Sequence, residues 1–114
     1  MSETEVLADE LRQNISDFLI PVQTSKILDE TNFKLLQKTL EKISSKLKGV
    51  DLVSKSILNE IYVAIKILRA EASYFKGDES ISMVNMANKL EFIFEIILKN
   101  ETIDQRKPGV PRIL

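Results

Sequence analysis

Carboxylates are the side chains in this sequence that could carry out acid–base chemistry, because it contains no His and no Cys. The lack of both removes the usual general base near neutral pH, the commonest metal ligand and the thiol nucleophile. The carboxylates on predicted helices are Glu60, Glu71, Glu91 and Glu95. Such residues usually occupy exposed helix surface. We therefore predict a non-enzymatic protein with no catalytic residue, no cofactor and no metal site.

Basic side chains recur at helical spacing in the second predicted helix. Lys34, Lys38, Lys42 and Lys46 follow each other every four residues and form a basic stripe. One interpretation is a docking surface for an acidic partner or a phosphate backbone. The other is a solvated face beside an acidic first helix. No aromatic residue alternates with these lysines, which argues against nucleic acid as the partner.

The first predicted helix has the opposite charge. Residues 1–20 contain five acids and one base. The acids considered as partner contacts are Glu3, Glu5, Asp9 and Glu10, with Asp17 as a further member of the patch. They either face a basic protein or match the positive end of the helix dipole and aid solubility.

The C-terminal residues 101–114 have a different character. Pro108, Gly109 and Pro111 lie within four residues and rule out a continuous helix. The residues considered for binding are Arg106, Lys107, Arg112, Ile113 and Leu114. We expect an extended tail that packs on the bundle, inserts into a partner, or is a frayed end.

Length and composition favour one domain spanning residues 1–114. The chain is 44% hydrophobic and 29% charged with a net charge of −1, which is typical of a folded helical protein. Its acidic N-terminus does not resemble a secretory signal, so a cytoplasmic location is expected. The late apolar run 81–98 contains Lys89, Glu91 and Glu95, and no membrane span is predicted.

Hydrophobic periodicity predicts four helices, over about 3–20, 31–48, 51–76 and 80–99. The central helix carries one apolar stripe formed by Ile57, Ile61, Ala64, Leu68, Ala72 and Phe75, with Leu58, Tyr62 and Ile65 beside it. Pro21 is expected to end the first helix. Asp51 is expected to cap the third, and a single short turn is expected within 21–30. The second helix should bury Phe33, Leu36, Leu40, Ile43 and Leu47.

These helices predict an all-α fold, an antiparallel four-helix bundle of up-and-down topology with an extended C-terminal tail. This architecture resembles small helical immunity proteins that act against bacteriocins and contact-dependent toxins. The resemblance implies stoichiometric binding of a cognate toxin domain, through the acidic first helix or the tail. The alternative is a self-associating structural or adaptor protein, a homodimer joined by surplus apolar surface on the central and fourth helices.

Overall fold

Four α-helices form the fold in a computed structural model that describes residues 3–50 and 52–99, with side chains from residue 5 onward. They are α1 (Glu3–Ser25), α2 (Glu30–Lys46), α3 (Lys55–Ala72) and α4 (Asp78–Leu98). The predicted all-α four-helix bundle is confirmed. The predicted tail, including Arg106, Lys107, Arg112, Ile113 and Leu114, lies outside the described residues.

The helices form two antiparallel hairpins, α1–α2 and α3–α4. In the first, Asn32 Nδ2 donates to the carbonyl of Asp17 at 3.2 Å, and Lys42 Nζ lies 3.2 Å from Glu10 Oε1. Residue numbers thus rise along one helix as they fall along the other. In the second, Ser80 Oγ donates to the carbonyl of Ala72.

The hairpins pack so that α1 contacts α3 and α2 contacts α4, and both of these pairs are parallel. Arg12 Nη2, near the middle of α1, donates to Ser56 Oγ at the start of α3 at 2.9 Å, and Lys26 Nζ, just after α1, lies 2.9 Å from Glu71 Oε2 near the end of α3. The order around the bundle is therefore α1, α2, α4, α3. Helices α2 and α3, which follow each other in the chain, are therefore diagonal to each other in the bundle.

The core consists of the predicted apolar stripes. All six residues of the first central stripe are buried, as are the five predicted in α2. Tyr62 departs from the prediction because it is 50% exposed. Lys66 Nζ lies 5.3 Å from the centroid of the Tyr62 ring, in a cation–π contact.

Three predicted helix ends are wrong. Pro21 does not end α1, which continues to Ser25. Residues 21–25, where part of the short turn was expected, are therefore helical. The α1 end is instead marked by Lys26, whose φ of 54° is left-handed. The third helix begins at Lys55, with the hydroxyl of Ser54 accepting from the Ser56 N–H at 3.2 Å, and it ends at Ala72. Asp51 lies outside the described residues.

Gly77 precedes α4 and adopts φ 59° and ψ −132°, which only glycine reaches without strain. A Cβ there would meet no heavy atom within 4 Å, so a substitution acts through the backbone alone. We expect Gly77→Ala to lower the free energy of unfolding by about 1–3 kcal/mol, measured by urea denaturation. Gly77→Asn should give no rescue, because Asn tolerates the left-handed helical region and not this ψ. A neutral Gly77→Ala would contradict the prediction.

Candidate functional site

A groove runs between the parallel helices α2 and α4. This pair makes the least extensive of the four main helix–helix contacts. Two adjoining clefts of about 260 Å³ and about 320 Å³ form the groove and share Gln37 and Lys89. We call this surface the α2–α4 groove. It is lined by Glu30, Phe33, Lys34, Gln37 and Glu41 of α2 and by Ser82, Asn85, Met86, Asn88, Lys89, Phe92 and Ile93 of α4.

The spacing of the lining residues explains why both helices present a continuous wall. On α2, the first lining residue is Glu30, and the other four lie 3, 4, 7 and 11 residues after it. On α4, five of the lining residues show the same spacing, starting from Ser82. Such intervals keep side chains on one face of a helix. Two stripes of equal length therefore run side by side in the same direction.

The floor of the groove is apolar. Phe33, Met86 and Ile93 are buried beneath it, and Phe92 is half-buried. Met86 and Ile93 are seven residues apart on α4, which corresponds to about 10 Å or two helical turns. Met86 lies in the first cleft and Ile93 in the second, so each cleft has one of these two apolar positions of α4 in its floor.

The rim of the groove is basic at its centre. Lys34 and Lys89 line it, and exposed Lys38 lies one turn after Lys34 on α2. None of the three makes an ion pair within residues 5–50 and 52–99. Glu30 and Glu41 lie toward the two ends of the α2 wall.

The predicted basic stripe divides into two parts in the structure. Lys42 Nζ lies 3.2 Å from Glu10 Oε1, and Lys46 also has an interaction partner. Lys42 thus faces α1, whereas Lys34 lines the groove and Lys38 is exposed outside the groove lining. The four lysines of the stripe therefore do not form one uniform surface.

The predicted acidic patch is engaged in contacts within the bundle. Asp9 Oδ1 lies 2.7 Å from Arg12 Nη1, and Glu10 Oε1 accepts from the buried Thr39 hydroxyl at 3.2 Å as well as from Lys42. Glu5 has a partner too. Exposed Asp17 accepts a hydrogen bond from Gln13 at 2.8 Å. The side chain of Glu3 lies outside the described part of the chain.

The carboxylates considered for catalysis contact separate cations. Glu60 lies 3.5 Å from Arg12, Glu71 lies 2.9 Å from Lys26, and Glu91 lies 2.6 Å from Arg69. Glu95 also has a partner. Across residues 5–50 and 52–99, no three acidic side chains gather into a possible metal site.

The sequence analysis missed most of the groove. Of its lining residues, only Lys34 was singled out as a partner contact. The signal is the matched spacing of two stripes, one in α2 and one in α4. That signal becomes informative only once these two helices are known to be neighbours.

Within the described ranges, no helix is both long enough and apolar enough to cross a membrane. Comparison of the chain with protein-family models, with curated proteins and with solved structures finds no match.

Proposed function

We propose that this chain is a non-enzymatic protein-binding module that binds its partner through the α2–α4 groove. The observation that carries the proposal is the combination of an apolar floor with a basic rim whose lysines have no ion pairs in the described residues. Protein-binding sites commonly join a desolvated apolar centre to polar groups that fix orientation.

Within this class, we propose an immunity or antitoxin role, in which the chain neutralises a cognate toxin by stoichiometric binding. The support is the small four-helix plan, which resembles that of helical immunity proteins. A toxin that presents acidic side chains around an apolar contact would complement the groove.

The experiment is a tagged pull-down from the native host lysate, with bound proteins identified by mass spectrometry. We compare the wild-type chain with a groove variant, Lys34→Glu with Lys89→Glu. The matched control is Lys55→Glu with Lys66→Glu, which makes the same change in charge on α3, away from the groove. These exposed substitutions should each change stability by about 0.5 kcal/mol or less, which thermal unfolding checks.

We expect one stoichiometric partner on the wild type and the control, and its loss from the groove variant. Equal capture by all three chains would place the binding surface elsewhere. Inhibition of a purified partner's toxicity at a one-to-one ratio would support the immunity role, and an unaffected partner would contradict it.

A second candidate function is self-association as a structural or adaptor protein. Large apolar side chains are exposed on α3 and α4, among them Tyr62 at 50%, Ile81 at 61% and Leu98 at 54%. Light scattering over a range of concentrations tests it. A dimer that persists on dilution would favour this candidate, and a monomer throughout would exclude it.

A further inference from the structure

We propose that the occupant of the α2–α4 groove is an amphipathic helix of a partner protein, with acidic side chains in its central turn and apolar side chains two turns apart. This inference rests on the proposed function and specifies the chemistry of the partner. It follows from the order of charges and apolar positions along the groove.

The length of the groove suits a short helix. Its α4 wall extends from Ser82 to Ile93, which at 1.5 Å per residue is about 16 Å, or three turns. An amphipathic helix laid in an apolar groove is a recurring mode of recognition, and its contacts fall at i, i+3, i+4 and i+7. The two apolar positions of the floor, at Met86 and Ile93, match contacts at i and i+7.

The charges along the groove determine where the acids of the occupant must lie. Lys34 and Lys89 lie between Glu30 at one end of the α2 wall and Glu41 at the other. An occupant with acids at i+3 and i+4 places them beside the lysines. Acids at its ends would instead approach Glu30 or Glu41, and like charges brought together weaken binding.

The chain's own C-terminal segment does not have this chemistry. Residues 101–114 contain three bases and two acids, so this segment has no surplus of acids to place beside the lysines. The observations therefore favour a separate protein over this segment as the occupant.

The test is a selection from a display library of random 16-residue peptides on the full-length chain. Enriched peptides are then synthesised, and their affinities are measured by fluorescence anisotropy. We expect enriched sequences to carry acids in a central turn flanked by apolar residues seven positions apart. Their affinity should fall at least about tenfold for Lys34→Glu with Lys89→Glu, and by less than twofold for Lys55→Glu with Lys66→Glu.

Salt provides a second readout. Raising the ionic strength from about 0.15 M to about 1 M shortens the Debye length from about 8 Å to about 3 Å. Binding of the acidic peptides to the wild type should therefore weaken severalfold, whereas residual binding to the groove variant should change little.

Several results would overturn the inference. They are a failure to enrich any peptide, enrichment of neutral or basic peptides, and equal binding to the groove variant. A dimer of this chain that the groove variant dissociates would also overturn it, by making a second copy the occupant. If the pull-down still yields a partner that depends on the groove, the proposed function survives this failure. If it yields none, both fail.

Discussion

Replacing Phe18 with alanine is expected to lower the free energy of unfolding by about 3–5 kcal/mol. Phe18 is fully buried in α1, and its ring lies 5.4 Å from that of Phe33 in α2, centroid to centroid. The truncation removes apolar contacts, leaves a cavity and breaks an aromatic pair. Small domains have total stabilities of about 5–15 kcal/mol, so this change is a large share. Urea denaturation measures it.

Two further substitutions make this result interpretable. Phe18→Leu keeps an apolar side chain and removes about half as many carbons as alanine does, so it should cost about 2 kcal/mol and keep the chain folded if alanine does not. Ile20→Ala lies on the same helix at a position that is 54% exposed, and it should cost about 0.5 kcal/mol. Equal losses for Phe18→Ala and Ile20→Ala would contradict the described packing of α1.

Replacing Pro21 with alanine is expected to stabilise the protein by about 2 kcal/mol. A proline inside a helix destabilises the native state by about 3 kcal/mol. It also restricts the unfolded chain, and this offsets up to about 1 kcal/mol of that loss. Replacing the proline should therefore stabilise the protein by the difference. In the native protein, Pro21 cannot donate to the carbonyl of Asp17, and Asn32 Nδ2 donates to it instead at 3.2 Å. Alanine at 21 restores the helical donor.

This arrangement predicts coupling between Pro21 and Asn32. Asn32→Ala should cost about 1 kcal/mol with proline at 21 and close to nothing with alanine at 21. Urea denaturation of the four chains in the double-mutant cycle measures the coupling. Asp29→Ala serves as the control, because it removes the α2 cap that accepts from the Asn32 N–H and should cost about 1 kcal/mol in both backgrounds. If Asn32→Ala lowers the free energy of unfolding equally with proline and with alanine at 21, then Asn32 does not take the place of the missing helical donor.

The apolar stripes could be predicted because helical periodicity records burial directly. The end of α1 could not, because the helix passes Pro21 for tertiary reasons. Val22 beyond the proline is fully buried, which contributes about 1.5–3 kcal/mol, and Asn32 of α2 satisfies the orphaned carbonyl. Neither fact is visible in the local sequence. The start of α3 was misplaced because both Asp51 and Ser54 are good capping residues and spacing alone does not choose between them.

The candidate site was predicted only in part for a related reason. Lysine spacing in α2 identifies a basic face. This face covers enough of the helix circumference that some of its lysines lie beside α1 and others beside α4. Lys42 turns toward Glu10 of α1, whereas Lys34 lines the groove with Lys89 of α4. Which lysines remain available to a partner depends on the order of helices around the bundle, which periodicity does not contain.

That order also bears on how the chain folds. Each hairpin is built from contacts between successive helices, whereas the contacts that join the hairpins link residues about 45 positions apart, as in Lys26 with Glu71. Local contacts close small loops at a low entropic cost, so we expect the contacts within each hairpin to form before those between the hairpins. The groove lies at the junction of the two hairpins, so its shape is set by how they dock and not by either hairpin alone.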